Sequence, residues 1–154
     1  MDILNIGKVL WLNRATGEHR HKGQTGGTLG YAQVTASQSG ITTEAALTGL
    51  SVTVNVMAGR RIKITAQVYP YSTVDGDAAA AAIEEGATIL CSTEYPKLPT
   101  NAAGTLNFSV VVMPTSGSHT YKLVGGRSFG SGNITFHATA TRPAFILVED
   151  IGAA

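Results

Sequence analysis

The residues best suited to chemistry in this chain of 154 residues are histidines and carboxylates that occur in close pairs. His19 and His21 form an H-x-H pair in a polar stretch, and two imidazoles at this spacing can share a metal ion. Structural metal sites usually need four ligands, and no cysteine or carboxylate lies at a matching spacing. We therefore interpret the pair as part of a solvated basic arm rather than a metal site.

Two pairs of adjacent carboxylates, Glu84–Glu85 and Glu149–Asp150, are candidates for general acid–base catalysis. Adjacent side chains of a strand point to opposite faces, so the members of such a pair do not converge on one substrate atom. The G-x-S-x-G pattern is absent, and "GGRSFGSG" at 125–132 lacks the spacing of a phosphate-binding loop. The sequence therefore predicts that the protein is not an enzyme and has no catalytic residue, metal ion or cofactor.

Three tyrosines, Tyr69, Tyr71 and Tyr95, have the chemistry of an aromatic platform for a sugar. Tyr69 and Tyr71 are predicted on the outward face of one strand, where Pro70 indicates an edge or a strand end. Exposed aromatic side chains at such a place either bind a ligand or become buried against a neighbouring subunit. We favour a subunit contact for Tyr69 and Tyr71 and keep glycan binding as the alternative.

The composition narrows the classes of partner. The net charge is +1, which gives no electrostatic footprint for nucleic acid or for an anionic membrane. No apolar run approaches the ~18–20 residues that span a bilayer. Charged residues make up 14% of the chain, well below the roughly 25% of an average soluble domain, and this leaves more surface that partners can cover. The single Cys91 cannot form an internal disulfide, so stability must come from packing or assembly.

The elements that position these residues are predicted to be strands. Residues 1–29 contain a short apolar piece followed by a glycine-rich polar stretch, which is typical of an arm or linker. Residues 30–154 alternate between apolar and polar positions, and about eight short strands of this kind predict an antiparallel β-sandwich, jelly-roll-like, behind an extended N-terminal arm. The predicted inward positions include Val52, Val54 and Val56; Ile62, Ile64, Ala66 and Val68; Leu106, Phe108, Val110 and Val112; Tyr121 and Leu123; and Ile134, Phe136, Ala138 and Ala140.

Residues 77–86, within the stretch "DGDAAAAAIEEG" at 75–86, have two interpretations. Asp77 is a candidate N-cap and Gly86 a candidate C-terminal stop, which favours a two-turn helix. A strand, an acidic-glycine turn and a returning strand "ATILCST" fit the local signals equally well. The β rhythm on either side favours the hairpin.

The stretch "RPAFILVEDIGAA" at 142–154 is apolar on both faces of its predicted strand. Ala144, Ile146 and Val148 would complete the core, which leaves Phe145 and Leu147 on the second face. We expect a sister subunit or the protein's own arm to cover Phe145 and Leu147.

Residues 30–152 resemble a small β-domain that is common in virion proteins of tailed phages of actinobacteria. The resemblance is carried by "LGYAQVTASQSGITTEAALTGLSVTVNVMAGRRIKITAQ", "SGSHTYKLVGGRSFGSGNITFHATAT" and, most specifically, "AFILVEDIG". Proteins with this domain are head decoration proteins, capsid fibres or minor tail proteins. The family also has a strand–turn–strand where this chain has "AAAAAIEEGATIL". No catalytic residue is associated with the domain.

The resemblance implies a non-enzymatic structural protein of the virion, assembled in the host cytoplasm. We expect a capsid decoration or fibre protein that forms a homo-oligomer, with a trimer favoured, and that contacts a major capsid or tail protein. The predicted oligomer interface comprises Phe145, Leu147, Tyr69 and Tyr71. The predicted virion anchor comprises Leu10, Trp11 and Leu12 with the basic Arg20 and Lys22. The alternative is a minor tail protein or a tip that binds a receptor or host-surface glycan.

Overall fold

The computed structural model describes residues 26–154 and, ahead of them, the backbone of two short strands, β1 (Leu10–Leu12) and β2 (His19–His21). These strands pair antiparallel, with Trp11 opposite Arg20. The predicted anchor residues Leu10, Trp11, Leu12 and Arg20 therefore lie on a hairpin, whereas Lys22 lies outside the described residues.

The remaining strands form a sandwich of two antiparallel sheets, so the predicted all-β sandwich is confirmed. The smaller sheet has the order β5-β10-β7-β8, and the larger has the order β3-β12-β6-β11-β4 with β9 also paired to β6. The strands are β3 (Gly27–Val34), β4 (Gln38–Ile41), β5 (Ala45–Val56), β6 (Arg60–Tyr71), β7 (Ala78–Glu85), β8 (Thr88–Tyr95), β9 (Leu106–Val112), β10 (Gly117–Phe129), β11 (Ile134–His137) and β12 (Ala144–Ala153).

Ten strands in the described sandwich exceed the predicted eight because β3 and β4 carry weak local signals. β3 contains two glycines, and β4 is only "QSGI", so neither shows a clear apolar alternation. Both become strands through pairing with distant partners, β3 with β12 and β4 with β11. β3 begins at Gly27, three residues before the boundary drawn at residue 30.

Residues 78–95 form a hairpin rather than a helix. β7 and β8 pair antiparallel, and the chain reverses at Gly86–Ala87 with Gly86 at a φ of 61°. The left-handed φ explains the glycine at this position. Four of the five alanines are buried because β7 lies between β8 and β10.

The core lies between the two sheets, where the predicted alternation places the side chains. Inward residues of β6 (Ile62, Ile64, Ala66 and Val68) are fully buried, as are Ile146 and Val148 of β12. Ala140 was wrongly predicted inward: β11 ends at His137, and Ala140 lies exposed in the following turn. Among the described residues, no helix is long and apolar enough to cross a membrane.

Candidate functional site

The candidate site is the outer face of the larger sheet, the face turned away from the core. In β12, Ala144, Ile146 and Val148 are buried in the core, as predicted. Phe145 and Leu147 alternate with them and are half-buried on the outer face. β12 lies between β3 and β6, so both side chains sit near the middle of this face rather than at its edge.

The strand register surrounds these two side chains with a defined set of neighbours. Leu147 lies between Tyr31 of β3 and Thr65 of β6. Phe145 lies between two glutamines, Gln33 and Gln67. The face therefore presents a short apolar stripe, bordered by amide side chains that can donate and accept hydrogen bonds.

The ring of Tyr31 lies beside the ring of Phe145 on the outer face. The two ring centroids are 5.9 Å apart with an interplanar angle of 36°. Tyr31 itself is 50% exposed, and its hydroxyl donates a hydrogen bond to Gln33 Oε1 at 2.8 Å. We call Tyr31, Phe145 and Leu147 the outer stripe. All three side chains keep part of their apolar surface in contact with solvent, and a partner surface could cover that part.

Opposite charges flank the outer stripe. Glu149 and Lys63 are paired in the register of β12 and β6, one row beyond Leu147. Cross-strand neighbours of opposite charge are favourable, and this pair gives one end of the outer stripe a polar border.

Tyr69 was wrongly predicted to be an exposed aromatic. It lies on the outer face but is only 6% exposed, because the Arg142 guanidinium lies 3.9 Å above its ring centroid and Gln67 Nε2 donates to its hydroxyl. Little of this ring is therefore available to a subunit or a sugar.

Tyr71 and Tyr95 are each packed in separate surroundings. The Tyr71 ring meets His137 edge-on at 4.7 Å, and its hydroxyl donates to Asn101 Oδ1 at 3.0 Å. The Tyr95 ring lies against Gly104, where a Cβ atom would come within 2.7 Å of it. The three tyrosines do not form one continuous exposed platform.

The pair Glu149–Asp150 diverges, as the strand geometry predicts. Asp150 points inward and is 8% exposed, and Arg60 donates to both of its carboxylate oxygens, with a shortest distance of 2.8 Å. The Gly152 amide donates to Asp150 Oδ1 at 2.9 Å. Burial acts to raise the pKa of Asp150, but the hydrogen bonds from Arg60 and Gly152 outweigh it and lower the pKa.

The pair Glu84–Glu85 also diverges. Glu84 is 3.0 Å from Lys122 Nζ, whereas Glu85 Oε1 lies 2.6 Å from His119 Nδ1 on the opposite face. The hydrogen bond with Glu85 raises the pKa of His119 despite its burial, and His119 Nε2 also bonds the Thr115 carbonyl at 2.9 Å. Tyr121 stacks on His119, its hydroxyl is buried with no hydrogen-bond partner, and burial raises its pKa to about 12.

Asp77, the candidate N-cap, instead joins two loops. It is fully buried, accepts a hydrogen bond from Ser72 Oγ, and accepts two more from the amides of Ser131 and Gly132 at 3.0 and 3.2 Å. Burial acts to raise its pKa, but these hydrogen bonds prevail and lower it. The loop after β6 and the loop after β10 are thereby held together at one end of the sandwich.

Within residues 26–154, no three His, Cys, Asp or Glu side chains come together as a metal site would require. The predicted metal-free interpretation of His19 and His21 concerns side chains outside the described ones.

Sequence reasoning missed Tyr31, Lys63 and His119 as parts of structured sites. The alternation of Tyr31 and Gln33 in "GYAQV" was the available signal for Tyr31. The contact between His119 and Glu85 had no local signal, because the two residues are 34 positions apart.

Neither the family models nor the curated proteins contain a match to the sequence. Solved structures do match. Eiger TNF from S. frugiperda covers 82% of this chain and 95% of its own, with a TM-score of 0.53 and 10% identity. Murine APRIL covers 82% of this chain and 100% of its own, with a TM-score of 0.51 and 12% identity. VP2 of the infectious bursal disease virus subviral particle covers 95% of this chain but 41% of its own, with a TM-score of 0.43 and 13% identity.

At these identities the likeness concerns the fold alone. Eiger TNF and murine APRIL are matched over nearly the whole of their own chains, with TM-scores above 0.5, so the shared element is the sandwich rather than a fragment of it. The chain is therefore an antiparallel jelly-roll sandwich.

Proposed function

We propose that this protein is a non-enzymatic structural component of a tailed-phage particle, a capsid decoration or fibre protein that assembles as a homo-oligomer. The jelly-roll fold and the resemblance of residues 30–152 to a virion β-domain support this role. The observation that carries it is the outer stripe, an apolar patch in the middle of a sheet face rather than a pocket that would hold a substrate.

The outer stripe fits a contact between copies of the chain. Tyr31 is 50% exposed and Phe145 and Leu147 are partly exposed, so burying what remains contributes at most roughly 1 kcal/mol for each side chain. Every copy carries these three side chains, so the same contact can form between each pair of neighbouring copies around a symmetry axis. The total stabilisation then increases with the number of copies. We favour a trimer, with Tyr71 at the margin of the contact and Tyr69 mostly enclosed in its own chain.

Attachment to the particle is assigned to the arm. Leu10, Trp11 and Leu12 supply apolar anchors, and Arg20 and Lys22 supply positive charge for a major capsid or tail protein. The anchor and the sandwich then have separate tasks, because the sandwich projects outward while the arm holds it to the virion.

The test is binding to virions. We expect the full-length protein to co-sediment with virions that lack it, and the variant Leu10→Ser/Trp11→Ser/Leu12→Ser to stay in the supernatant. Ser51→Glu, an exposed change on the smaller sheet, is the matched control and should bind as the wild type does. Co-sedimentation of the triple variant would contradict the anchor role, and imaging of the decorated particles distinguishes a head from a tail location.

A second candidate function, a tip that binds a host-surface glycan, is favoured by one observation. Phe129 is 72% exposed in the loop end of the sandwich that Asp77 holds together, and the half-buried Tyr71 lies at the same end. An exposed ring at a rigid loop end suits stacking on a sugar. A glycan array probed with the full chain, and with Phe129→Ala and Tyr71→Ala, tests it: binding lost in both variants supports the tip, and no binding by the wild type excludes it.

A further inference from the structure

The two sides of the sandwich, where the edges of its sheets meet, differ in how well they are closed. On one side the edge strands are β3 and β5, and Gly30 packs so closely that a Cβ atom there would overlap the Val52 side chain. Val52, Val54 and Val56 are each at most 7% exposed on this side. On the other side the edge strands are β8 and β9, and inward side chains of both strands stay partly exposed. We call this side the open seam: Leu90 and Cys91 of β8, and Phe108, Val110 and Val112 of β9.

The edge strand β9 lacks the features that usually protect such a strand. Charged side chains, prolines and bulges normally prevent an exposed edge from pairing with another chain. β9 contains no proline and pairs with β6 over seven residues without a register shift, and residues 98–118 contain no charged side chain. Val111 of β9 is 51% exposed. An uncharged edge beside a partly open core indicates a surface that another chain covers.

The outer stripe and the open seam lie at the same height along the strands. Tyr31, Leu147, Thr65 and Ser109 form one row across the larger sheet, because each is paired with the next in the strand register. The Cys91 thiol lies at the β9 end of this row, 3.9 Å from the Ser109 carbonyl oxygen. The row therefore begins in the outer stripe and ends at the open seam.

This equal height is what a rotation axis parallel to the strands requires. Rotation about such an axis moves a surface sideways without changing its height, so it can bring the outer stripe of one copy against the open seam of the next. Because the two surfaces differ, the contact is heterologous, and it repeats in one direction until it closes into a ring. The two surfaces also face different sides of the sandwich, so each copy is turned relative to the last, as a ring of few copies requires.

We propose that the outer stripe of each copy packs into the open seam of its neighbour around the axis of the homo-oligomer. This inference rests on the proposed assembly and names the surface that meets the outer stripe. The occupant of the seam is a second copy because every copy carries an apolar surface at the matching height. The contact covers the exposed parts of Phe108, Val110 and Val112 together with those of the stripe.

Disulfide trapping in the full-length protein tests the proposal, because the native Cys91 already supplies a thiol at the open seam. Leu147→Cys places a second thiol on the outer stripe. Within one chain β6 and β9 lie between the two positions, and two strand spacings of about 4.8 Å each already exceed the ~7 Å between Cα atoms that a disulfide allows. A disulfide between positions 147 and 91 must therefore join two copies.

We expect oxidation with copper phenanthroline to link at least about tenfold more chains in Leu147→Cys than in Ser51→Cys, the matched control whose new thiol lies on the smaller sheet. Because every copy carries both thiols, a non-reducing gel should show covalent trimers as well as dimers. Leu147→Cys/Cys91→Ser should remain unlinked.

A second measurement does not depend on the substitution at Leu147. Ser109→Glu, exposed on β9 beside Cys91, should sediment as a monomer, because the contact would bury its carboxylate. Ser51→Glu is again the matched control and should sediment as the wild type does.

Three results would overturn this proposal while the wild type remains a trimer. They are an absence of links in Leu147→Cys, linked dimers that persist in Leu147→Cys/Cys91→Ser, and a trimeric Ser109→Glu. The persistent dimers would show that the stripes of neighbouring copies meet each other. A wild-type protein that sediments as a monomer would contradict the proposed oligomer itself, so sedimentation of the wild type distinguishes the two kinds of failure.

Discussion

Arg60 and Asp150 show how this protein uses charge inside a largely apolar sandwich. Each is 8% exposed, and the guanidinium and carboxylate satisfy one another through several hydrogen bonds that join the start of β6 to the end of β12. The pKa of Asp150 is lowered from 3.8, so its stabilisation is fully present above that value and is lost as the pH falls through the folded-state pKa. Of the adjacent carboxylates Glu149 and Asp150, Asp150 thus has a structural role as the partner of Arg60.

Removing one partner of this pair should be costly. We expect Asp150→Asn to lower the free energy of unfolding by about 3 kcal/mol, because it removes the buried carboxylate that accepts hydrogen bonds from Arg60. The double variant Arg60→Met/Asp150→Leu should recover most of that loss, since both charges are gone. Urea denaturation at pH 7 measures both, and a single variant as stable as the wild type would refute the assignment.

His119 should make stability depend on pH in the neutral range. Its folded-state pKa is raised above 6.5 by Glu85, so the stabilisation is fully present below about 6.5 and is lost as the pH rises through the folded-state pKa. We expect the urea midpoint of the wild type to fall between pH 6 and pH 9 relative to that of His119→Gln. Parallel profiles for the two proteins would show that the contact between His119 and Glu85 contributes nothing measurable.

At the scale of elements, regular alternation predicted the strands that face the core, and irregular stretches escaped it. β5, β6, β9 and β12 carry their pattern locally, so their positions followed from the residues. β3 and β4 did not, because glycine and short polar runs become strands only when a distant strand offers them a partner. The hairpin of β7 and β8 could not be distinguished from a helix by local signals, because the five alanines of β7 show no alternation of apolar and polar residues.

The candidate site, like the strands, was predictable from the sequence only where the pattern was local. The half-buried Phe145 and Leu147 followed from the two-sided apolar pattern of β12, as did the core positions beside them. The enclosure of Tyr69 did not, because Arg142, which covers its ring, lies 73 positions away in sequence (142 − 69) and carries no local signal of that contact.

Gly126 in β10 shows how one residue permits two elements to meet. A Cβ atom at this position would lie 2.7–2.8 Å from the backbone of Thr43 and Glu44, in the segment between β4 and β5. We expect Gly126→Ala to destabilise the sandwich by about 2 kcal/mol, because the crossing backbone must move. Ser118→Ala, exposed on the same strand, should change stability by less than about 0.5 kcal/mol. Thermal or urea denaturation compares the two, and equal effects would refute the steric explanation.

At the scale of the whole molecule, the sandwich has two unlike ends. One end holds the loops joined by Asp77 and the exposed Phe129, and the other holds the exposed Met57 and the beginning of β3. The outer stripe lies between them on the side of the larger sheet. The surfaces that we propose for sister copies and for a glycan therefore lie on different parts of the sandwich.

The outer stripe makes a prediction about assembly. We expect the wild-type protein to sediment at about three times the 16.0 kDa of one chain, and Leu147→Glu to sediment as a monomer, because a carboxylate in the buried contact is costly. Ser51→Glu places the same charge on the smaller sheet opposite Lys122 and should remain oligomeric. A monomeric wild type at micromolar concentrations would contradict the interface.

The position of β12 has a consequence for how the protein is made. β12 follows every other strand in sequence, yet it fills the gap between β3 and β6. During synthesis, β3 and β6 each keep an unpaired edge until residues 144–153 have left the ribosome, and such distant pairing folds slowly, on the order of milliseconds to seconds. Phe145 and Leu147 arrive on this same strand. The surface that we propose for assembly is therefore complete only on chains that have finished folding.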